Sequence, residues 1–229
     1  MNAFETVKAV VFDAYGTLFD IHAPTAKAAG AIGDAARADA LGRLWREKQL
    51  QYSWLRSLMG RYTDFWTITQ EGLDYALEAL DLADPALRQR LLDLYFELDA
   101  YPDAIPALAA LKEQGLRTAI LSNGSKDMLD AAVTSSGAAA HLDAVISVAD
   151  AEIFKPDARV YRLAETRFRV PASEMVFVSC NGWDAWGSAD FGFQTVWLNR
   201  FGLPEERLPG APKAVITSLD LLPGLLEQE

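Results

Sequence analysis

The chain has 229 residues, 51% of them hydrophobic, enough for one large α/β domain or a core domain with an insertion, and this excludes a disordered reading. Its formal charge of −11 argues against sequence-independent nucleic-acid binding, which relies on Lys and Arg to neutralise phosphates. The single cysteine, Cys180, cannot close an internal disulfide, residues 1–8 show no secretory leader and no apolar run reaches membrane-spanning length, so the expectation is a soluble cytoplasmic protein with no nucleic-acid or membrane partner.

The first β-rich run, residues 7–12, stops abruptly at Asp13, and Ala14-Tyr15-Gly16-Thr17 follows as a small, turn-forming loop. In open α/β sheets ligands bind in the crevice beyond the strands' carboxyl ends, so a carboxylate there is a candidate nucleophile or metal ligand. A helix-capping aspartate is the competing reading. Residues 20–98 are helical in pattern, with no comparable strand run, and read as an insertion after the first strand. The Ala-rich stretch 26–40 reads as a loop leading into helix. Beyond it Leu41, Leu44, Trp45, Tyr52, Leu55 and Leu58 recur at helical spacing, as do Leu73, Leu77 and Leu80, and Asp84-Pro85 reads as an N-cap followed by proline at the first helical position.

From residue 118 onward short apolar runs at 118–121, 144–148, 175–178 and 195–198, with a weaker one at 214–216, alternate with helical patterns, as in a parallel sheet covered on both faces. Three more polar clusters punctuate them. Ser122-Asn123-Gly124 could bind an anion through hydroxyl, amide and main-chain N–H groups, or be a plain turn. Lys155-Pro156-Asp157 projects an ammonium from a loop, with proline opening the next helix, or carries an ordinary solvated lysine. Ser179-Cys180-Asn181-Gly182-Trp183-Asp184 follows the 175–178 run, and Asp184 reads equally as an N-cap and as a site residue.

Together the four clusters resemble the motifs of the haloacid dehalogenase superfamily, in order and over nearly the whole chain. The resemblance implies a Rossmann-like, doubly wound parallel sheet as core (residues 1–19 and 99–229) and a helical cap subdomain (residues 20–98). Phosphatases of that superfamily carry a second aspartate two residues after the nucleophile, where this chain has Tyr15, and an acidic residue near magnesium, where it has Ser179. Both carboxylates are missing, which argues against protonating an alkoxide leaving group or holding magnesium. A halide departs without a proton and needs a polarised cradle instead. The segment 44–59, with Asn181-Gly182-Trp183-Asp184-Ala185 and Lys155 through Tyr161, is similar to the type II L-2-haloacid dehalogenases.

That resemblance implies Asp13 as the nucleophile on carbon 2 of a small-molecule L-2-haloalkanoate, forming an ester that water then hydrolyses to a D-2-hydroxy acid, with no cofactor and no metal. Arg46 and Asn123 would take the halide beside Trp183. Ser122 and the backbone around Ala14 and Tyr15 would hold the substrate carboxylate. Asp184 would position or deprotonate the water, Lys155 would pair with both carboxylates, and Thr17, Tyr161, Ser179 and Asn181 would complete the polar shell. Tyr15, Leu50, Phe65 and Trp183 would line the alkyl pocket, against ordinary packing as the alternative for Leu50 and Phe65. A homodimer is expected on the same grounds. The rival readings are a magnesium-dependent small-molecule phosphatase of the same superfamily and a non-catalytic binding protein that keeps the fold. No Gly-x-Gly-x-x-Gly run follows the first strand to support dinucleotide binding.

Overall fold

Strand β1 (Ala9–Phe12) is buried along its whole length in the computed structural model, which describes residue 4 and residues 6–227. Residues 1–3 and 5, on which the reading of a missing leader partly rests, lie outside the described residues. After β1 the chain runs through helices α1 (Ala23–Lys27), α2 (Ala29–Ile32), α3 (Ala35–Met59), α4 (Phe65–Ala79) and α5 (Pro85–Phe96). Then α6 (Ala104–Glu113), β2 (Arg117–Ser122), α7 (Lys126–Ser136), β3 (Ala144–Ser147), α8 (Ala158–Phe168), β4 (Met175–Ser179), α9 (Gly182–Phe191), β5 (Gln194–Leu198), β6 (Ala214–Ile216) and α10 (Leu222–Leu226) follow.

The six strands form one parallel sheet in the order β3-β2-β1-β4-β5-β6. The chain winds outward from β1 to β3, then crosses back to β4 and winds the other way, so the direction of winding reverses between β1 and β4. Loops leaving those two neighbours diverge to opposite faces and open a crevice at their carboxyl ends. Asp13 follows β1 and Asn181 through Asp184 follow β4, which places them side by side at this switch point.

Helices α3 and α4 pack along each other. Asp34 caps α3 by accepting from Arg37 N–H, and left-handed Gly60 ends it. The buried stripe of α3 is Ala38, Leu41, Trp45, Gln49 and Ser53, facing Phe65, Ile68, Thr69, Gly72 and Leu73 of α4. Gly72 permits the close approach: a Cβ there would lie 3.3 Å from Gln49 N and 3.4 Å from Trp45 O. Asp84 caps α5 through Ala86 N–H with Pro85 in the first turn, as the sequence suggested.

Three expectations are corrected. The stretch 26–40 is mostly helical: alanine favours helix, and Gly33, with φ of 133°, interrupts it between α2 and α3. The helical spacing of Leu55 and Leu58 is borne out by α3, although both lie outside its buried stripe, Leu58 being 84% exposed. Strand β1 begins at Ala9 rather than Val7, because Lys8 N–H already turns to Glu174 O. Pro156 precedes α8 instead of opening it, and Asp157 is the cap, accepting from Arg159 N–H.

Candidate active site

Asp13 is 5% exposed, and its carboxylate is held from three sides. Oδ2 accepts from Thr17 Oγ1 at 3.0 Å and from Asn181 Nδ2 at 2.8 Å, while Oδ1 accepts from Lys155 Nζ at 3.1 Å. It caps no helix. Thr17 is itself fixed, because its hydroxyl accepts from Cys180 N–H at 2.8 Å, which leaves its hydrogen for Asp13. Asn181 Nδ2 also donates to Tyr15 O at 3.1 Å.

Lys155 has no exposed surface and spans two carboxylates, reaching Asp184 Oδ2 at 2.8 Å, so the solvated-lysine reading fails. Burial alone would lower its pKa, but Asp13 and Asp184 outweigh that and leave it raised, so the ammonium stays charged. Asp184, also without exposed surface, sits in the first turn of α9, where Asn181 holds the N-cap position. Burial raises its pKa to about 6 against the opposing pull of Lys155. Tyr161 donates to Asp184 Oδ1 at 2.7 Å; burial and the neighbouring carboxylate push its pKa well above the usual value, which keeps it a donor. Ser179 Oγ accepts from Asn181 N–H at 3.2 Å and shapes the turn between β4 and α9. Burial raises the Cys180 thiol to about 11, so it stays protonated.

Ser122, at the end of β2, accepts from Gly124 N–H at 3.1 Å, and its hydroxyl hydrogen has no acceptor among the described residues. Asn123 Oδ1 accepts from Lys155 N–H at 3.0 Å, orienting the Lys155 loop. The N–H groups of Ala14 and Tyr15 likewise have no acceptor among the described residues. From α3, Arg46 reaches down to the sheet edge: Nη2 donates to Asn181 Oδ1 at 3.3 Å and Nη1 to Gln49 Oε1 at 2.7 Å. Arg46 and Asn123, expected to share one role, are not bonded to each other.

The apolar candidates divide between two walls. Tyr15 lies against Phe65, with ring centroids 6.4 Å apart, and stacks on Tyr95 at 5.9 Å. Trp183 instead meets Trp54 edge-on at 5.4 Å, and both line a cavity of about 450 Å³ with Phe154, Lys155 and Pro156. Leu50 is half-buried one turn beyond Arg46. Sequence reasoning missed Gln49, Trp54 and Tyr95. The signal for Gln49 was a polar residue four positions after Trp45, in the stripe that α3 buries. Trp54 Nε1 donates to Lys155 O at 3.2 Å, a contact across 101 residues that no local pattern announces.

Residues 7–192 match the family model of the haloacid dehalogenase-like hydrolases. Over 223 residues the chain is 48% identical to (S)-2-haloacid dehalogenase 1 of Pseudomonas sp. (strain CBS-3), covering 97% of both chains. It belongs to the (S)-2-haloacid dehalogenase family of those hydrolases. Another relative, (S)-2-haloacid dehalogenase 4A of Burkholderia cepacia, is 46% identical over 97% of this chain and 96% of its own. Among solved structures, an L-2-haloacid dehalogenase from Xanthobacter autotrophicus with chloropropionic acid covalently bound superposes with a TM-score of 0.88 at 40% identity, over 96% of this chain and 98% of that one. A crystal structure of a dehalogenase with an intermediate complex gives 0.95 at 45% identity, over 98% and 99%.

Within this dehalogenase-family fold, Asp13 and Asp184 are bridged by the ammonium of Lys155. Among the described residues no group of three or more His, Cys, Asp or Glu side chains could hold a metal ion. No helix among them is long and apolar enough to cross a membrane.

Proposed function

We propose that this dehalogenase-family chain converts L-2-haloalkanoic acids to D-2-hydroxyalkanoic acids and halide through an ester on Asp13. The observation that carries the reading is the buried Asp13 carboxylate, bonded to the Lys155 ammonium and joined through Asn181 to the Arg46 guanidinium of the cap helices. Oδ2 already accepts two hydrogen bonds and Oδ1 one, so Oδ1 keeps a lone pair for attack on carbon 2. The C2–O bond forms as the carbon–halogen bond breaks, the electron pair leaves with the halide, and C2 inverts. Ser122 and the N–H groups of Ala14 and Tyr15 hold the substrate carboxylate in line. Arg46 receives the halide as a permanent positive charge, a role in which the family resemblance joins it to Asn123 and Trp183. Tyr15, Leu50 and Phe65 face the alkyl group.

The second half turns Oδ2 into the ester's carbonyl oxygen. Water adds to Asp13 Cγ, losing its proton toward Asp184, and the charge that develops on Oδ2 meets Thr17 and Asn181, which already donate to it. Collapse expels the hydroxy acid's oxygen, which takes back the proton held by Asp184, and Asp13 returns to a carboxylate as the second proton of the water passes to solvent. Lys155, Tyr161 and Ser179 keep Asp184 and Asn181 in place for this step. Attack at Cγ leaves the inverted C2 untouched.

The relatives named above support the substrate class. Chiral analysis of products from racemic 2-chloropropionate tests it: consumption of the L form alone, with equal D-lactate and chloride, is expected, whereas phosphate release from a phosphate ester under magnesium would favour the phosphatase reading. We also assign the chain to the cytoplasm, on its single buried cysteine, and to a homodimer. Exposed Leu55, Leu58, Met59 and Tyr75 on α3 and α4 offer an apolar face for the second copy, which light scattering would detect.

A further inference from the structure

Gln49 has 1% of its surface exposed, sits in the mostly apolar seam between α3 and α4 beside Thr69, and has every polar atom engaged. A buried amide is costly unless fully bonded, so a leucine would serve packing better. Its contacts also have a fixed polarity. Thr69 Oγ1 donates its one hydrogen to Phe65 O at 2.7 Å, which leaves that oxygen only able to accept. The group facing it at 2.7 Å must therefore be the amide nitrogen of Gln49. The carbonyl oxygen Oε1 is thereby turned to Arg46 Nη1, also at 2.7 Å, and Tyr95 OH lies 3.1 Å from Nε2 and 3.2 Å from Oε1.

We propose that Gln49 is a positioning residue for Arg46, its amide locked by Thr69 so that an uncharged acceptor aims the guanidinium at the site without neutralising it. A carboxylate at this position would pair with the guanidinium and cancel the charge that the halide needs, whereas a flipped amide would present N–H to N–H. The lock sits where Gly72 lets the two helices approach closely, and Thr69 ties it to the Phe65 carbonyl, so the acceptor is fixed to the backbone of the cap. On the other side Arg46 touches Asn181, which also holds Asp13, so a misaimed guanidinium would be felt at the nucleophile's own support.

The inference rests on the halide-accepting role of Arg46 proposed above, and the test separates the two. Single-turnover halide release and ester hydrolysis are measured with L-2-chloropropionate and L-2-bromopropionate for Thr69→Val, Thr69→Ser, Gln49→Glu, Gln49→Met and Arg46→Ala. Thr69→Val keeps shape and loses the lock; it should slow chloride release by about tenfold or more, bromide release less, and ester hydrolysis little, since misplacement rather than loss of charge is at stake. Thr69→Ser restores the hydroxyl and should restore the rate. Gln49→Glu should be slower than Gln49→Met, and Thr69→Val should add nothing in the Arg46→Ala background. Wild-type chloride release in both Thr69→Val and Gln49→Met, or equal slowing of both halides and of ester hydrolysis, overturns the inference while leaving the halide role of Arg46 standing. Wild-type release by Arg46→Ala overturns that role and the inference with it.

Discussion

Lys155 Nζ stands 3.1 Å from Asp13 Oδ1, and the lysine reaches it without exposing any of its own surface. The same ammonium touches Asp184 Oδ2 at 2.8 Å, so one buried cation balances two buried carboxylates. Replacing it with Met keeps the volume and leaves two buried carboxyl groups without their counter-charge, a change that typically costs about 3–5 kcal/mol. Lys155→Met should therefore unfold at lower denaturant concentration at neutral pH, recover part of that loss as acid protonates the carboxylates, and form no ester. Chemical denaturation at two pH values and trapping of the ester on Asp13 are the measurements. A pH-independent loss of stability would show that the ammonium is not balancing those charges.

Asp184 titrates in the working range because burial lifts its pKa to about 6, with Lys155 holding it from rising further. As the base for the hydrolytic water it must be ionised, so ester hydrolysis should fall as pH drops through about 6, losing about one decade per unit below it. The linkage to stability has the opposite sense: an acid whose folded pKa is raised stabilises the fold below its unfolded value and loses that contribution as pH rises through about 6. Single-turnover hydrolysis followed against pH checks the first effect. Asp184→Asn should abolish the limb together with most of the rate.

Much of this site was legible because parallel strands buried on both faces are near-continuous apolar runs, and each polar cluster that ends one stands out. Asp13, Ser122 and Ser179 are visible for that reason, one at the end of each of three neighbouring strands. Lys155 and Asp184 were found as members of clusters, but their shared burial depends on the crossing from β3 back to β4, which spacing does not encode. The cap was less legible. Helical periodicity assigns Leu41 and Leu58 to the same class, yet only the packing of α4 buries one and leaves the other to solvent. The roles of Gln49 and Tyr95 follow from hydrogen bonds across 46 residues and leave no trace in local pattern.

Gly124 lies where the loop after β2 meets the ring of Tyr15. A Cβ there would stand 2.7 Å from Tyr15 Cε2 and 3.2 Å from Leu129, and the ring, packed against Phe19, Phe65 and Tyr95, would have to yield toward the alkyl pocket it is proposed to line. Gly124→Ala should destabilise by about 1–3 kcal/mol, as overpacking does, and raise KM for larger 2-haloalkanoates more than for 2-chloroacetate. Thermal unfolding and a substrate series measure the two effects, and an unchanged KM across the series would remove Tyr15 from the alkyl pocket.

The sharpest consequence concerns oxygen. If Asp13 Oδ1 makes the bond to carbon 2, the hydroxyl of the first product molecule comes from the protein, and the solvent oxygen stays behind on Asp13 after water adds at Cγ. In heavy-oxygen water, with enzyme in excess over L-2-chloropropionate, the D-lactate should carry no label, and the peptide containing Asp13 should gain one heavy oxygen. Oδ2 is tied to Thr17 and Asn181, which orients the carboxylate so that the oxygen opposite it, in the Oδ1 position, is presented each time. With substrate in excess, later turnovers should pass the label on to lactate once the labelled oxygen occupies the attacking position. Mass spectrometry of lactate and of the peptide reads both sites together. Label appearing in lactate on the first turnover, with Asp13 unlabelled, would mean that water attacks carbon 2 directly and that the carboxylate acts only as its base.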